Sequence, residues 1–198
     1  LISTTGIRPD PAKTKAVKDM PFPSTLKLLR SAVGMFSYYR RFIPKFAEIA
    51  SPLYNMVKKF KNNKKDGHKR IVPNDDSLAA FEFLKTAITN EPITLSFPVW
   101  DKPFEVHCDA SSVGLASILC QIIDGCERVI MYASRSLTKV ERAYHIYEQE
   151  CLALIWSLRL FHHYVYLRDF KVVTDCKALQ WVQSRPESAR VSRWLLNI

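Results

Sequence analysis

Phe104-Glu-Val-His-Cys-Asp-Ala-Ser-Ser-Val-Gly-Leu-Ala-Ser-Ile-Leu-Cys-Gln121 is the stretch of sequence that decides the fold of this chain. The helical period of the preceding residues gives way here to short apolar and β-branched runs. We predict strands at Phe104–Cys108 and Gly114–Ile123. Asp124-Gly-Cys126 predicts a hairpin turn into a third strand, Arg128–Ala133. The three strands should therefore form an antiparallel meander.

The residues that follow predict a crossover to a fourth strand. Thr138-Lys-Val-Glu141 is a capping box, from which we predict a helix to about His163. Phe170–Thr174 is the fourth predicted strand, and a further helix should begin over Ala178–Val182. A connection of this length permits a right-handed crossover, so the fourth strand can join the sheet in parallel. The predicted fold class is α/β with a mixed sheet.

Three acids stand at positions where their carboxylates can meet. Asp109 and Asp175 each close a strand-like run, and Glu150 lies inside the strongly helical segment. A single Asp after a strand is usually a cap or a turn residue, but three acids at these element positions favour a shared site. Mg²⁺ prefers oxygen ligands, and paired ions can act on both sides of a phosphate. We therefore predict that Asp109, Glu150 and Asp175 bind divalent metal.

The first part of the chain predicts a small helical bundle interrupted by prolines. Its predicted helices are Pro11–Asp19, Thr25–Tyr39 with Ser24 as N-cap, Phe46–Val57 and, after a polar tract at Lys58–Pro73, Ser77–Thr89. The polar tract, which is rich in lysine, should form an exposed loop.

The positive charge is confined to this first part. Residues 1–76 contain 16 Lys and Arg against 6 Asp and Glu, whereas residues 77–198 contain 13 of each, so the whole net charge of +10 lies before residue 77. A basic half favours contact with a polyanion such as nucleic acid. The alternative is a solvated basic face that serves solubility. The predicted phosphate-contacting residues are Lys27, Arg30, Arg40, Arg41, Lys58 and Lys59.

Tyr38-Tyr-Arg-Arg-Phe42 interleaves aromatic side chains with arginines. This pattern fits base stacking combined with phosphate contacts. An alternative interpretation places Tyr39 and Phe42 in the core of the helical bundle, with only the arginines available to nucleic acid. The sequence leaves both alternatives open.

The cysteines and the hydropathy bear on the cellular compartment and on membrane insertion. Five scattered cysteines show no C-x-x-C spacing, which argues against a disulfide framework or a zinc site and favours a reducing, intracellular location, the cytoplasm or the nucleus. The longest apolar helical stretch, Cys151–Phe161, is too short to span a bilayer. The chain begins with Leu1, and we expect it to be a fragment of a longer polypeptide or a processed chain.

Several motifs resemble the ribonuclease H domain of pol polyproteins from LTR retrotransposons of the gypsy class. They are the opening stretch at 104–121, Tyr132-Ala-Ser-Arg-Ser-Leu137, Glu148-Gln-Glu-Cys-Leu-Ala-Leu154, Arg159-Leu-Phe-His-His-Tyr164 and Val173-Thr-Asp-Cys-Lys-Ala-Leu179. Gly6-Ile-Arg-Pro-Asp-Pro11 and the segment from Leu29 to Phe46 resemble the end of the reverse transcriptase, its thumb. The resemblance covers nearly the whole chain in the right order.

This resemblance implies a thumb-like helical region at 1–70, a tether with one helix at 71–102 and a ribonuclease H-like domain at 103–198, truncated at its C-terminus. It implies hydrolysis of the RNA strand of RNA–DNA hybrids with Mg²⁺, or Mn²⁺ as an alternative, and a parent polyprotein with palm, fingers and integrase domains. Asp109, Glu150 and Asp175 match three of the family's catalytic acids. Glu148 is the rival of Glu150, whose Glu-Cys-Leu-Ala setting fits the family better.

The chain departs from the family pattern in three respects. The paired aspartates of the polymerase are absent, so these residues should not synthesise DNA. The family's fourth acid would lie beyond Ile198, and Cys176 stands where relatives often have His. Two alternatives therefore remain beside a nuclease fragment: a non-catalytic module that binds hybrids or RNA, and an integrase of related fold, against which the thumb-like region argues.

Overall fold

The structure is a computed structural model that describes residues 1–60, 67–90, 93–177, 179 and 189–195. A two-stranded ribbon, β1 (Ile2–Ser3) and β2 (Gly6–Ile7), precedes the helices. The helices of the first part are α1 (Pro11–Lys18), α2 (Leu26–Tyr38), α3 (Phe46–Ile49), α4 (Ser51–Lys59) and α5 (Asp75–Thr89), with a 3₁₀ turn at Arg40–Phe42 between α2 and α3.

Local chemistry explains where these helices begin. The Asp10 side chain accepts a hydrogen bond from the Ala12 N–H at α1, and Asn74 forms a reciprocal capping box with Ser77 at α5. The prediction of Ser24 as the cap of α2 is wrong. Thr25 has the extended backbone that a cap requires, and its hydroxyl accepts from the Leu28 N–H.

The helix predicted over Phe46–Val57 is divided into α3 and α4. Pro52 lies in the first turn of α4, the position at which a residue without an N–H is tolerated. The start of the predicted loop is also wrong, because Lys58 and Lys59 form the last turn of α4. Residues 61–66 of the same polar tract lie outside the described residues.

The four-stranded sheet confirms the predicted mixed topology. Its strands are β3 (Phe104–Ala110), β4 (Gly114–Ile123), β5 (Cys126–Ser136) and β6 (Phe170–Val173), in the order β5-β4-β3-β6. All neighbours are antiparallel except β3 and β6, which are parallel. Asp124 and Gly125 both have positive φ, 52° and 74°, as a tight hairpin with matching strand twist requires.

The crossover differs from its prediction. The reciprocal hydrogen bonds between Thr138 and Glu141 are present, but a 3₁₀ turn at Glu141–Ala143 follows rather than a long helix. Tyr144 and His145 are extended, so helix α6 (Ile146–Leu160) starts afresh, and α7 (His162–Val165) follows it. The last described helix is α8 (Ala189–Leu195). The helix predicted over Ala178–Val182 falls almost wholly outside the described residues.

Helices α1 to α5 share one hydrophobic core. Phe36 of α2 and Phe81 of α5 are fully buried, and their rings pack edge to face with centroids 5.5 Å apart. Burial of such a side chain stabilises the fold by about 1.5–3 kcal/mol. Helix α5 belongs to the predicted tether, yet it packs against α1 and α4 in this core. The division into residues 1–70, 71–102 and 103–198 stays a prediction.

The helical core docks on one edge of the sheet. Val129 and Tyr132 of β5 pack against it, and the Ala47 N–H donates to the buried hydroxyl of Ser134, also on β5, at 2.9 Å. Helix α6 packs over β3. Ile7 and Leu95 exchange two backbone hydrogen bonds, which join the ribbon to the segment that leads to the sheet.

Substitution of two glycines by alanine should change the free energy of unfolding in opposite directions. At Gly6, φ is +142° and a Cβ would lie 2.1 Å from the Leu95 carbonyl oxygen, whereas a Cβ at Gly34 on α2 would meet nothing within 4 Å. We expect Gly6→Ala to destabilise the protein by about 2 kcal/mol or more, and Gly34→Ala to stabilise it by about 0.5–1 kcal/mol. Urea unfolding measures both. A destabilisation of Gly34→Ala as large as that of Gly6→Ala would contradict the interpretation.

Candidate metal and nucleic-acid site

Strand pairing brings two of the three predicted acids together. Parallel strands β3 and β6 pair in a constant register whose last pair is His107 with Val173. The same register, extended by two residues, sets Asp175 beside Asp109. Directly after β6 in the chain, the Thr174 hydroxyl accepts a hydrogen bond from the Cys176 N–H at 3.2 Å. This bond stabilises the turn that carries Asp175. The two aspartates therefore lie at one end of the sheet.

The third acid arrives from the helix that covers the sheet. Glu150 is the fifth residue of α6, which packs against β3. Carboxylate oxygens of Asp109, Glu150 and Asp175 all lie within 4.8 Å of one another. The three acids predicted from sequence are thus brought to one point by a strand end, a helix and a turn.

The three carboxylates differ in exposure, and the differences matter for charge. Asp175 is exposed and Asp109 is half-buried, but Glu150 is buried, with 7% of its surface accessible. Burial and the neighbouring charges of Asp175 and Asp109 raise the pKa of Glu150 to about 7. Three carboxylates this close repel one another, so their ionised form requires a compensating cation.

The donor set fits a divalent metal. All three groups offer carboxylate oxygens, which Mg²⁺ and Mn²⁺ prefer to nitrogen or sulfur. Glu150 accepts a hydrogen bond from the Ala110 N–H, but its Oε2 is buried and has no hydrogen-bond partner in the described part of the chain. A buried oxygen without a partner is costly unless a ligand satisfies it. A cation between the three acids would do so.

Glu148, the rival of Glu150, is placed elsewhere. It forms an ion pair with Arg190 of α8, with 2.6 Å between Oε2 and Nη1. Glu148 therefore joins α6 to α8, whereas Glu150 faces the two aspartates. The geometry supports the choice of Glu150 over Glu148, and the catalytic role of all three acids stays a prediction.

Lys45 reaches into this site from the helical part, and no sequence signal predicted its position there. Its Nζ lies 2.6 Å from Oδ2 of Asp109. The hydrogen bond and the charge of Asp109 raise the pKa of Lys45, with smaller contributions from Glu48 and Asp175. Lys45 and Asp109 are far apart in the chain and share no motif. Only the docking of the helical part on the sheet brings them together.

A second cluster of metal-binding residue types lies on β3 and β4. Glu105, His107 and Cys120 have ligand atoms within 4.8 Å of one another because Glu105 and Cys120 are cross-strand partners. Sequence spacing does not show this proximity. The hydrogen bond from His107 and the charge of Lys171 lower the pKa of Glu105, so its carboxylate is already compensated. Its nitrogen and sulfur donors make it a poorer match for Mg²⁺ than the three acids.

The predicted basic residues lie on three elements of the helical part, α2, the 3₁₀ turn at Arg40–Phe42 and α4. Lys27 and Arg30 lie on α2, with Lys27 exposed and Arg30 half-buried, and Lys58 and Lys59 are exposed at the end of α4. Arg40 donates a hydrogen bond to the Ser134 carbonyl and so contributes to docking on the sheet. The proposed contacts of these residues with phosphate stay predictions.

Arg41 lines a groove with two further basic residues that sequence reasoning passed over. Arg8 and Lys13 also line this groove, as does the acidic Asp10, and the groove has a volume of about 410 Å³. Tyr38, with 77% of its surface exposed, also borders it. Basic side chains around an exposed aromatic ring are suited to a nucleic-acid strand. Neither Arg8 nor Lys13 belongs to a charge run, so composition alone did not single them out.

Two of the three aromatic side chains around Arg40 and Arg41 are packed in the helical core, and the third is exposed. Tyr39 and Phe42 are buried in the helical core, with 7% and 8% of their surfaces accessible. A buried ring cannot stack on a base. The interpretation of Tyr39 and Phe42 as stacking residues is therefore wrong, and of these aromatics only Tyr38 remains available.

Comparison with known proteins identifies the class. Residues 99–198 match the family described as the RNase H-like domain found in reverse transcriptase. This match covers the whole sheet, α6 and all three acids. The chain belongs to this family of RNase H-like domains, as its fold and its cluster of carboxylates lead one to expect.

Individual relatives extend the match over the whole chain. The chain is 37% identical over 203 residues to the retrovirus-related Pol polyprotein from transposon opus of Drosophila melanogaster, and this alignment covers 100% of the chain and 20% of the relative. It is 33% identical over 199 residues to the corresponding polyprotein from transposon gypsy of the same organism, covering 98% of the chain and 19% of the relative. The chain thus spans about a fifth of the length of these relatives.

Solved structures show the same fold. The foamy viral protease-reverse transcriptase in complex with an RNA/DNA hybrid superposes with a TM-score of 0.76 at 23% identity, covering 99% of this chain and 26% of that chain. A form of the foamy viral enzyme in complex with double-stranded DNA gives the same TM-score at 21% identity and the same coverage of this chain. The helical part and the sheet therefore share one arrangement with these proteins.

In the part of the chain that the structure describes, no helix has both the length and the apolar character that crossing a bilayer requires.

Glu150 should make the stability of the metal-free protein depend on pH. Because its folded-state pKa is about 7 and the usual value is 4.5, ionisation of Glu150 should destabilise the fold progressively between these pH values. We expect Glu150→Gln to match the wild type at pH 4.5 and to be more stable by up to about 3 kcal/mol at pH 8. Urea unfolding in the presence of chelator measures the difference. Exposed Glu127, changed to Gln, is the control, and a stability gain in Glu150→Gln that does not vary with pH would contradict the prediction.

Proposed function

We propose that this chain hydrolyses the RNA strand of RNA–DNA hybrids in a reaction that depends on a divalent metal. The observation that carries the proposal is the convergence of Asp109, Glu150 and Asp175 within 4.8 Å in a chain that belongs to the RNase H-like family. Structural acids are common singly, but three clustered carboxylates, one of which has a buried oxygen without a partner in the described residues, need a functional explanation.

Each acid has a distinct role in the proposed site. Asp109 lies between the other two elements and would be the shared ligand, while Glu150 and Asp175 would hold the metal from the helix side and the solvent side. Bound divalent metal supplies an activated water and charge stabilisation at the scissile phosphate. The buried position of Glu150 keeps one wall of the site dry, and the exposed position of Asp175 leaves the other wall open to substrate.

The proposed substrate follows from charge and from the relatives. The basic half of the chain, residues 1–76, packs directly against β5 of the domain that carries the acids. Double-helical nucleic acid bound along this half would lie near the acids. The foamy viral enzyme of similar fold was solved in complex with an RNA/DNA hybrid, which supports the hybrid as the substrate class. We propose further that the chain acts as part of a longer pol polyprotein inside the cell.

A non-catalytic module that binds hybrids is the second candidate. It is favoured by one observation, the ion pair with Lys45, which compensates part of the Asp109 charge that would attract the metal. Both candidates predict binding to hybrids. Only the nuclease predicts cleavage that depends on Asp109.

Replacement of Asp109 by Asn should abolish cleavage, because the side chain keeps its shape and loses the charge that binds the metal. The assay uses a labelled RNA–DNA hybrid with Mg²⁺ and with Mn²⁺. We expect weak cutting by residues 1–198 with Mg²⁺ and stronger cutting with Mn²⁺, since Mg²⁺ demands near-ideal octahedral geometry and three acids supply it poorly. A longer chain that includes the family's fourth acid should cut better with Mg²⁺.

The matched control for this assay is Asp124→Asn in the β4–β5 hairpin. It makes the same chemical change in a turn at the other end of the sheet, where Asn is well tolerated. Equal cutting by wild type and Asp109→Asn, or cutting that survives chelator, would refute the nuclease proposal. Hybrid binding without any cleavage by the longer chain would favour the non-catalytic module.

The contribution of the basic half should appear in the salt dependence of hybrid binding. We expect substitution of both Lys58 and Lys59 by Gln to reduce the slope of log affinity against log salt by roughly 0.7–0.9 for each phosphate that these lysines neutralise in the wild type. Lys139→Gln, an exposed change in the electrically neutral part, should leave the slope unaltered. Point substitutions are preferable to deletion of residues 1–70, because deletion would uncover the apolar side chains of β5 that the helical core contacts. An unchanged slope in the double variant would show that the end of α4 does not contact phosphate.

A further inference from the structure

The helical part contributes one side chain to the three-acid site. Lys45 and Asp109 form an ion pair of 2.6 Å, with 55% and 36% of their side-chain surfaces exposed. Lys45 lies just before α3, and Asp109 lies near the end of β3. The contact therefore joins the basic half of the chain to the proposed metal site.

The backbone around Lys45 is anchored in line with Asp109. Asp109 pairs with Ala116 on β4, and Ala116 pairs with Ser134 on β5, so the three residues form one row across the sheet. Ser134 accepts a hydrogen bond from the Ala47 N–H through its buried hydroxyl and another from Arg40 through its carbonyl. The row spans about 10 Å, since neighbouring strands lie about 4.8 Å apart. From this anchor, the lysine side chain extends back along the row to Asp109.

The local backbone supports this placement. Lys45 has φ 51° and ψ 30°, a left-handed conformation that is uncommon outside glycine. Pro44 precedes it, and α3 follows directly. The segment is thus held at both ends, by Arg40 and by Ala47, while the residue between them points its amine at the acids.

A lysine amine and a divalent ion are rivals for the same oxygen. Both are cations attracted to the Asp109 carboxylate, and the lysine already compensates part of the negative charge that attracts the metal. We propose that Lys45 is a built-in competitor of the divalent metal, so that the docking of segment 40–47 on β5 lowers the metal affinity of the three-acid site. The inference rests on the proposed function in one respect, the assignment of Asp109 as a metal ligand.

The expected size of the effect follows from the exposure of the pair. Ion pairs that are this accessible to solvent are weak, and their removal corresponds to a change of at most about fivefold in an equilibrium constant. We therefore expect Lys45→Met to bind metal about two- to fivefold more tightly than the wild type. Lys45→Arg keeps a cation at the position and should stay near the wild-type affinity. High salt should reduce the difference, because it screens the pair.

The experiment measures Mn²⁺ binding to the 198-residue chain without nucleic acid. Free Mn²⁺ is quantified by electron paramagnetic resonance at low and at high salt, so no cleavage is required. The proteins are the wild type, Lys45→Met, Lys45→Arg, Asp109→Asn and Lys15→Met. Lys15 is exposed on α1 in the same basic half, so its substitution removes the same charge away from the ion pair. Thermal unfolding verifies that each variant is folded.

The outcomes separate this inference from the proposed function. Tighter binding by Lys45→Met, with unchanged binding by Lys45→Arg and Lys15→Met, supports the competition. Equal affinities of wild type and Lys45→Met, or equal tightening by Lys15→Met, would overturn it while leaving the metal site intact. Undiminished binding by Asp109→Asn would place the ion elsewhere and overturn the inference. No binding by any protein would overturn the metal site and the competition together.

Discussion

The parallel pairing of β3 with β6 is the constraint on which the site depends. Its register places Asp175 beside Asp109, because each acid stands at the same distance beyond the last shared pair of residues. A shift of one residue would turn one aspartate to the opposite face of the sheet. The crossover through α6 makes the parallel pairing possible, and the same helix delivers Glu150. The same crossover therefore determines both the topology of the sheet and the geometry of the site.

The cost of this arrangement is concentrated on Glu150. The helix brings a carboxylate into a largely buried place beside two others, which raises its pKa to about 7 and leaves Oε2 without a hydrogen-bond partner in the described residues. A buried carboxylate without a full set of partners lowers the stability of the fold, and such groups are often found at functional sites. A cation relieves the repulsion, and the structure offers one of its own in Lys45. The proposed metal would offer a second.

The helical part packs against β5, and this contact joins the two regions of the chain. Ser134 is central to this contact, since its hydroxyl and its carbonyl both accept hydrogen bonds from the segment that carries Lys45. Helix α5, which belongs to the predicted tether, packs inside the helical core. The basic half is therefore packed against the RNase H-like half rather than loosely attached to it, which is the arrangement that the proposed substrate contacts need.

The sequence by itself determined the class of fold and the identity of the acids. Strand periods, the Asp124-Gly125 turn and the length of the crossover sufficed for a mixed sheet, because these signals are local and strong. Local signals failed at the boundaries of helices. The single helix predicted around Pro52 is two helices, and the helix predicted from Thr138 is a 3₁₀ turn that ends at extended Tyr144, followed by a separate helix. Tertiary structure alone decided that Tyr39 and Phe42 are buried, that Glu148 pairs with Arg190 and that Lys45 reaches Asp109. The physical reason is that periodicity reports what a residue does within its own element, whereas contacts between elements depend on how distant surfaces pack.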